Sequence, residues 1–232
     1  MRVSAVSATR TRRPKPAAKP DTLADVLREL GDIPPHRILW TPFPGTATEA
    51  DALACLDGDN KRLVELIDGT LVEKAMGNRE SHVGVVLSTL LSTFATVNDV
   101  GIIGGADSLL RILPEQLRLP DVVFTAWDTL PTPDAHLQPV GDYVPDLLVE
   151  VLSAGNTAGE IARKIREYFR GGARLVWVFE PDDRTVTVYT SARRSRVLTA
   201  TDTLDGGTVL PGFTLPLADF WNHPQLNPRP AR

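Results

Sequence analysis

One run constrains this chain more than any other. Leu147-Leu148-Val149-Glu150-Val151-Leu152 is apolar on both alternating faces and carries a single acid. A strand apolar on both faces belongs in the middle of a sheet covered from both sides. An ionised carboxylate placed there without a partner costs several kcal/mol, roughly the penalty for an unpaired buried charge. Glu150 therefore needs a partner.

Helices to cover such a sheet are present. Arg79 to about Val97 places Val83, Val86, Leu87, Leu90, Leu91 and Phe94 on one face. Ala158 to Phe169 opens on Thr157-Ala158-Gly159-Glu160, a capping box, and stops at Gly171-Gly172. Strands are expected at 107–113, 119–126, 146–152 and 174–180, with a closing antiparallel pair at 185–191 and 197–200. Leu63 to Lys74 reads as a hairpin turning at Asp68-Gly69. Shorter helices are expected at 21–31 and 47–56, joined by a proline-rich connector. Helix, three strands, helix and strand in that order predict an α/β fold, a mixed central sheet flanked by helices with an N-terminal hairpin. The organisation expected is a basic tail over 1–20, a helical and proline-rich extension over 21–62, a core domain over 63–221 and a loose tail over 222–232.

Charge is unevenly distributed. The net charge of −4 hides six basic and no acidic residues in the first twenty, leaving 19 basic against 29 acidic side chains in the rest, a balance of −10. A body that acidic gains little non-specific affinity for nucleic acid, because phosphate neutralisation supplies most of it. Any such role needs a local patch or a bound cation. One cysteine excludes an internal disulfide framework and fits a cytoplasmic setting, and no apolar run approaches the ~18 residues of a membrane span. The four histidines have no zinc-ligand spacing, Gly101-Ile102-Ile103-Gly104-Gly105 lacks the dinucleotide pattern, and Ser153 has no nucleophile-elbow glycines. Aromatics at 6% argue against a sugar cleft worked by paired carboxylates.

Three charged positions interrupt buried patterns: Glu150, Asp121 after Pro120 at the head of Val122-Val123-Phe124, and Lys164 beside the apolar stripe of its helix. Two strand carboxylates and an inward lysine suit a hard cation such as Mg²⁺. Each also has an ordinary structural reading: a turn cap for Asp121, a snorkelling stem for Lys164, an ion pair between Glu150 and Lys164. Arg163 and Glu167 are expected toward solvent.

Taken together, Pro120-Asp121 and Glu150-Val151-Leu152 resemble the split motif of the PD-(D/E)XK nuclease superfamily. The wider pattern is similar to its Uma-two family of restriction-endonuclease-like proteins, common in bacteria. It is carried by Glu65-Leu66-Ile67-Asp68-Gly69, Pro120-Asp121-Val122, Pro145-Asp146 through Ser153, Lys164, Tyr168, Trp177 and Pro211-Gly212-Phe213. The resemblance implies an endonuclease acting on DNA, with Mg²⁺ or Mn²⁺ held by Asp121, Glu150 and the carbonyl of Val151. It implies that Lys164 assists the attacking water, because the superfamily's lysine position is Leu152 here. Glu80, His82 and Glu65 are secondary site candidates, and Arg79, Arg118 and Arg163 are candidate nucleic-acid contacts. Homodimerisation fits a nuclease that cuts both strands. The alternative is the same fold with an inactive site, binding nucleic acid or a protein.

Overall fold

A computed structural model describes residues 20, 22–57 and 61–228. The basic tail expected over 1–20 and the last four residues of the C-terminal tail lie outside the described residues, apart from Pro20. In chain order the helices are α1 (Leu23–Glu29), α2 (Glu49–Asp57), α3 (Asn78–Asn98), α4 (Ala158–Gly171) and α5 (Leu217–Trp221). The strands are β1 (Val64–Ile67), β2 (Thr70–Glu73), β3 (Gly101–Gly104), β4 (Leu110–Leu113), β5 (Gln116–Arg118), β6 (Val122–Ala126), β7 (Leu147–Val151), β8 (Leu175–Glu180), β9 (Thr185–Ser191), β10 (Arg194–Leu198), β11 (Thr203–Asp205) and β12 (Thr214–Pro216).

The six-stranded sheet runs β10-β9-β8-β7-β6-β3, with β7 parallel to β8 and the other neighbours antiparallel. Every residue of β7 is buried, as its two-sided apolar run requires. Its faces go to different helices. Leu147, Val149 and Val151 join the α3 side with Val83, Leu87 and Leu91, together with Phe213, Phe220 and Trp221 from the closing segment. Leu148 points to the α4 side, packing with Ile161, Ile165 and Tyr168. Glu150 shares that parity and faces α4 too. Leu152, where the superfamily motif has lysine, packs against the same apolar cluster.

A second sheet, β2-β1-β5-β4, stands beside the first. Asp68 and Gly69 both take positive φ, 47° and 70°, as the two-residue hairpin turn demands. The expected strand over 119–126 begins only at Val122. β5 ends at Arg118, and β6 begins at Val122 in the other sheet. Pro120 has no N–H to donate, so the ladder stops there and the chain changes sheets at Leu119-Pro120-Asp121. Asp121 is thereby placed at the seam.

The segment 22–57 packs on the small sheet. Leu30 and Ile33 meet Ile67 and Val72, and Ala52 of α2 sits with Leu66 and Leu71. Arg37 reaches across to Glu160 of α4 in a two-pronged ion pair at 2.8 and 2.9 Å. The α4 capping box forms as expected, with Thr157 and Glu160 as its two partners and Gly172 as a left-handed cap. No described helix is long and apolar enough to cross a membrane.

Candidate active site

Two clusters of charge meet near the seam, one sealed and one open. The sealed cluster lies between β7, β1, β5 and α4. Lys164 Nζ sits 2.9 Å from Glu150 Oε2 and 3.0 Å from Glu65 Oε1, with its side chain 3% exposed. Tyr168 donates its hydroxyl to the other Glu150 oxygen. Arg118 pairs with Glu65 at 2.8 Å and with Glu167 at 2.5 Å. Glu65 also accepts the Leu119 N–H at 3.1 Å, which ties the hairpin to the seam.

This network does not support its carboxylates equally. Burial alone would push the Glu65 carboxyl up, but Lys164 and Arg118 outweigh it and hold the group at about 2. Glu150 is equally enclosed and shares Lys164 with Glu65, but has no arginine of its own. Burial therefore raises it, Lys164 offsets only part of the rise, and the negative charge of Asp121 adds to it. Lys164 itself is held above its ordinary value, because Glu150 and Glu65 overcome the cost of burying it. Glu150 is the least compensated anion of the sealed cluster.

The open cluster lies on the other side of the seam. A groove of about 530 Å³ runs along α3 past Glu80, Ser81, Ser88 and Thr89, and reaches Asp121, Val151 and Lys74. Asp121 is clamped to β7 twice: its N–H donates to Val149 O at 2.9 Å, and its Oδ2 accepts the Val151 N–H at 2.6 Å. Its Oδ1 meets Lys74 Nζ at 2.8 Å, and its side chain stays 18% exposed. Glu80 belongs to the first turn of α3, where an acid favours the helix dipole, and its carboxylate folds back over Gly77.

Asp121, Val151 and Glu80 thus meet at one groove. Glu150, Glu65 and Lys164 meet one another behind it, and neither Glu150 nor Lys164 lines it. His82 opens on a separate cavity of about 220 Å³, beside Arg79, Arg184 and Trp221. Arg118 corrects the expectation of a nucleic-acid contact: it is 1% exposed, and two carboxylates take its guanidinium. Arg163 and Glu167 correct the expectation that both lie toward solvent. Arg163 bonds Glu167 at 2.6 Å, Asp68 at 2.6 Å and the Glu29 carbonyl, and Glu167 is buried against Arg118. Arg79 is exposed and engaged with Asp182 and the Pro181 carbonyl.

The residue the sequence reading missed is Lys74. It is 7% exposed and donates to Ala106 O at 2.9 Å and Pro120 O at 3.3 Å, besides its pair with Asp121. A signal was present: Lys74 shares the alternation parity of buried Val72.

A divalent ion fits the oxygen-rich chemistry at the seam. Asp121 offers a partly open carboxylate, and Glu150 behind it is held by Lys164 and Tyr168. No group of three or more His, Cys, Asp or Glu residues converges on a metal position among the described residues.

Residues 49–218 match the model of the Uma2 family, described as "Putative restriction endonuclease". Among solved structures, the fold is similar to that of "a putative nuclease belonging to DUF820" from Anabaena variabilis ATCC 29413. The TM-score is 0.62 and the identity 17%, over 68% of this chain and 89% of that one. No curated protein matches the chain.

Proposed function

Because this chain belongs to the Uma2 family of restriction-endonuclease-like proteins, we propose that it is an endonuclease that hydrolyses DNA phosphodiester bonds at the Asp121 seam with the help of Mg²⁺ or Mn²⁺. The observation that carries the reading is the single carboxylate shared by groove and seam. Asp121 faces solvent at the groove floor, while its backbone and side chain are locked to β7 next to Glu150. Asp121, Glu150 and the Val151 carbonyl would hold the ion. Once bound, it supplies a nucleophilic water and neutralises charge on the phosphate.

The protein's own residues divide the rest of the work. Tyr168 and Lys164 fix the Glu150 carboxylate in one orientation, so Lys164 acts as a positioning residue behind the carboxylate. Glu65 and Arg118 hold Lys164 in turn. Glu80 adds negative charge at the groove.

A second reading has an observation of its own: Glu65, Glu150 and Asp121 are already matched by Arg118, Lys164 and Lys74. That balance suits an inactive module of the same fold which binds DNA or a protein. Cleavage assays on supercoiled and single-stranded DNA with Mn²⁺, comparing wild type with Asp121→Asn and Glu150→Gln, separate the two. The nuclease reading expects cleavage by wild type and a loss of at least a hundredfold in both variants. No cleavage by wild type, or equal cleavage by the variants, overturns it.

A further inference from the structure

Lys74 directly follows the second hairpin strand, where charged surface residues are common, yet it is buried. What encloses it is a set of oxygens. Asp121 Oδ1 lies at 2.8 Å from its Nζ, the Ala106 carbonyl at 2.9 Å and the Pro120 carbonyl at 3.3 Å. An ammonium has three donors and no acceptor, so one carboxylate and two carbonyls satisfy it fully. The same donor types, a carboxylate and backbone carbonyls, are those a hard divalent ion takes. Ala106, Asp121 and Lys74 all line the groove, so the cage stands where an ion entering from solvent arrives.

We propose that Lys74 is a tethered cation occupying the cation position at Asp121, so that a divalent ion binds only by displacing its ammonium. The inference rests on the reading of Asp121 as a metal ligand. It assigns to Lys74 the control of that site's affinity. With the ammonium in place, the Asp121 carboxylate is neutralised and held against the seam without an ion. When an ion arrives, two positive charges compete for one carboxylate, and Lys74 leaves the cage toward the groove. Lys164 takes no part, because it stays locked between Glu150 and Glu65.

The test is isothermal titration of Mn²⁺ into wild type, Lys74→Gln and Asp121→Asn, with an uncleavable DNA oligonucleotide present throughout. Glutamine keeps a donor for the two carbonyls and removes the charge, and circular dichroism verifies the fold. Lys74→Gln is expected to bind Mn²⁺ about tenfold tighter or more, the worth of one charge beside a carboxylate. Asp121→Asn is expected to lose binding. Equal or weaker binding by Lys74→Gln, with measurable wild-type binding, overturns the role of Lys74 and leaves the metal reading standing. Absence of binding in wild type and Lys74→Gln alike overturns both.

A measurement on wild type needs no variant. Reductive methylation of Lys74, scored by mass spectrometry, is expected to accelerate several-fold on Mn²⁺ addition while Lys164 stays protected. An unchanged rate at saturating Mn²⁺ contradicts the displacement.

Discussion

The two sides of the seam use the same residue types in nearly the same arrangement. On one side Lys164 bridges Glu150 and Glu65, and on the other Lys74 meets Asp121. The difference is access. Behind the seam, every carboxylate is enclosed and bonded to a cation, so losing a partner leaves an uncompensated charge in the interior. At the groove, Asp121 keeps an open edge, and water or an ion can replace what a substitution removes. One pattern of acid and lysine therefore serves as a rivet on the buried side and, in the function proposed, as a binding site on the open side.

The largest expected effect comes from breaking the rivet. Glu65→Ala takes a carboxylate from both Arg118 and Lys164, leaving them Glu167 and Glu150, and should lower unfolding free energy by about 3 kcal/mol in urea titration, the low end for broken buried pairs. A loss under 1 kcal/mol would mean that water reaches the cluster.

Acid should act on the same rivet with a defined sign. Glu65 is held at about 2 against an ordinary value of 4.5, so its contribution is fully present above that ordinary value. It is lost as pH falls from there toward about 2, and amounts to about 3 kcal/mol. Glu160, also lowered despite its burial because Arg37 and Lys164 stabilise its charge, adds to the loss. Glu150, being raised, works the other way: its contribution grows as it takes up a proton. Denaturant titrations across this range should show net destabilisation, and Glu65→Gln should flatten it. A wild type whose stability is constant from pH 5 to 3 would break the comparison.

Glu150→Gln sharpens it. Lys164 keeps Glu65, and the amide oxygen can still accept from Tyr168, so the stability cost should stay near 1–2 kcal/mol, the size of a charged hydrogen bond. Smallest is Asp121→Asn, which should cost about 1 kcal/mol, because the amide oxygen and the two carbonyls still accept from Lys74. Thermal melts of the two variants side by side check the order. If Asp121→Asn proved the more damaging, the open side would be structural as well.

How much of this was legible in the sequence follows from where burial comes from. β7 was readable because burial on both faces leaves a continuous apolar run, in which Glu150 stood out. The hairpin at Asp68-Gly69 and the capping box at Thr157 were readable because their causes are local. β3 escapes a sequence reading because Gly101–Gly104 offers only two apolar side chains between glycines. β5 escapes it too, because three residues carry no period. Arg118 and Glu167 read as outward because charged residues usually lie there. Their burial is created by each other and by Glu65, which is distant in sequence. Lys74 is the extreme case, enclosed by carbonyls 32 and 46 residues further along the chain.

The most direct test of the account is anomalous diffraction from a crystal grown with Mn²⁺ and an uncleavable DNA oligonucleotide. A manganese peak is expected in the groove, coordinated by Asp121, with Lys74 displaced and Lys164 still between Glu150 and Glu65. A peak elsewhere, or DNA in the groove with no ion and Lys74 still on Asp121, would contradict it.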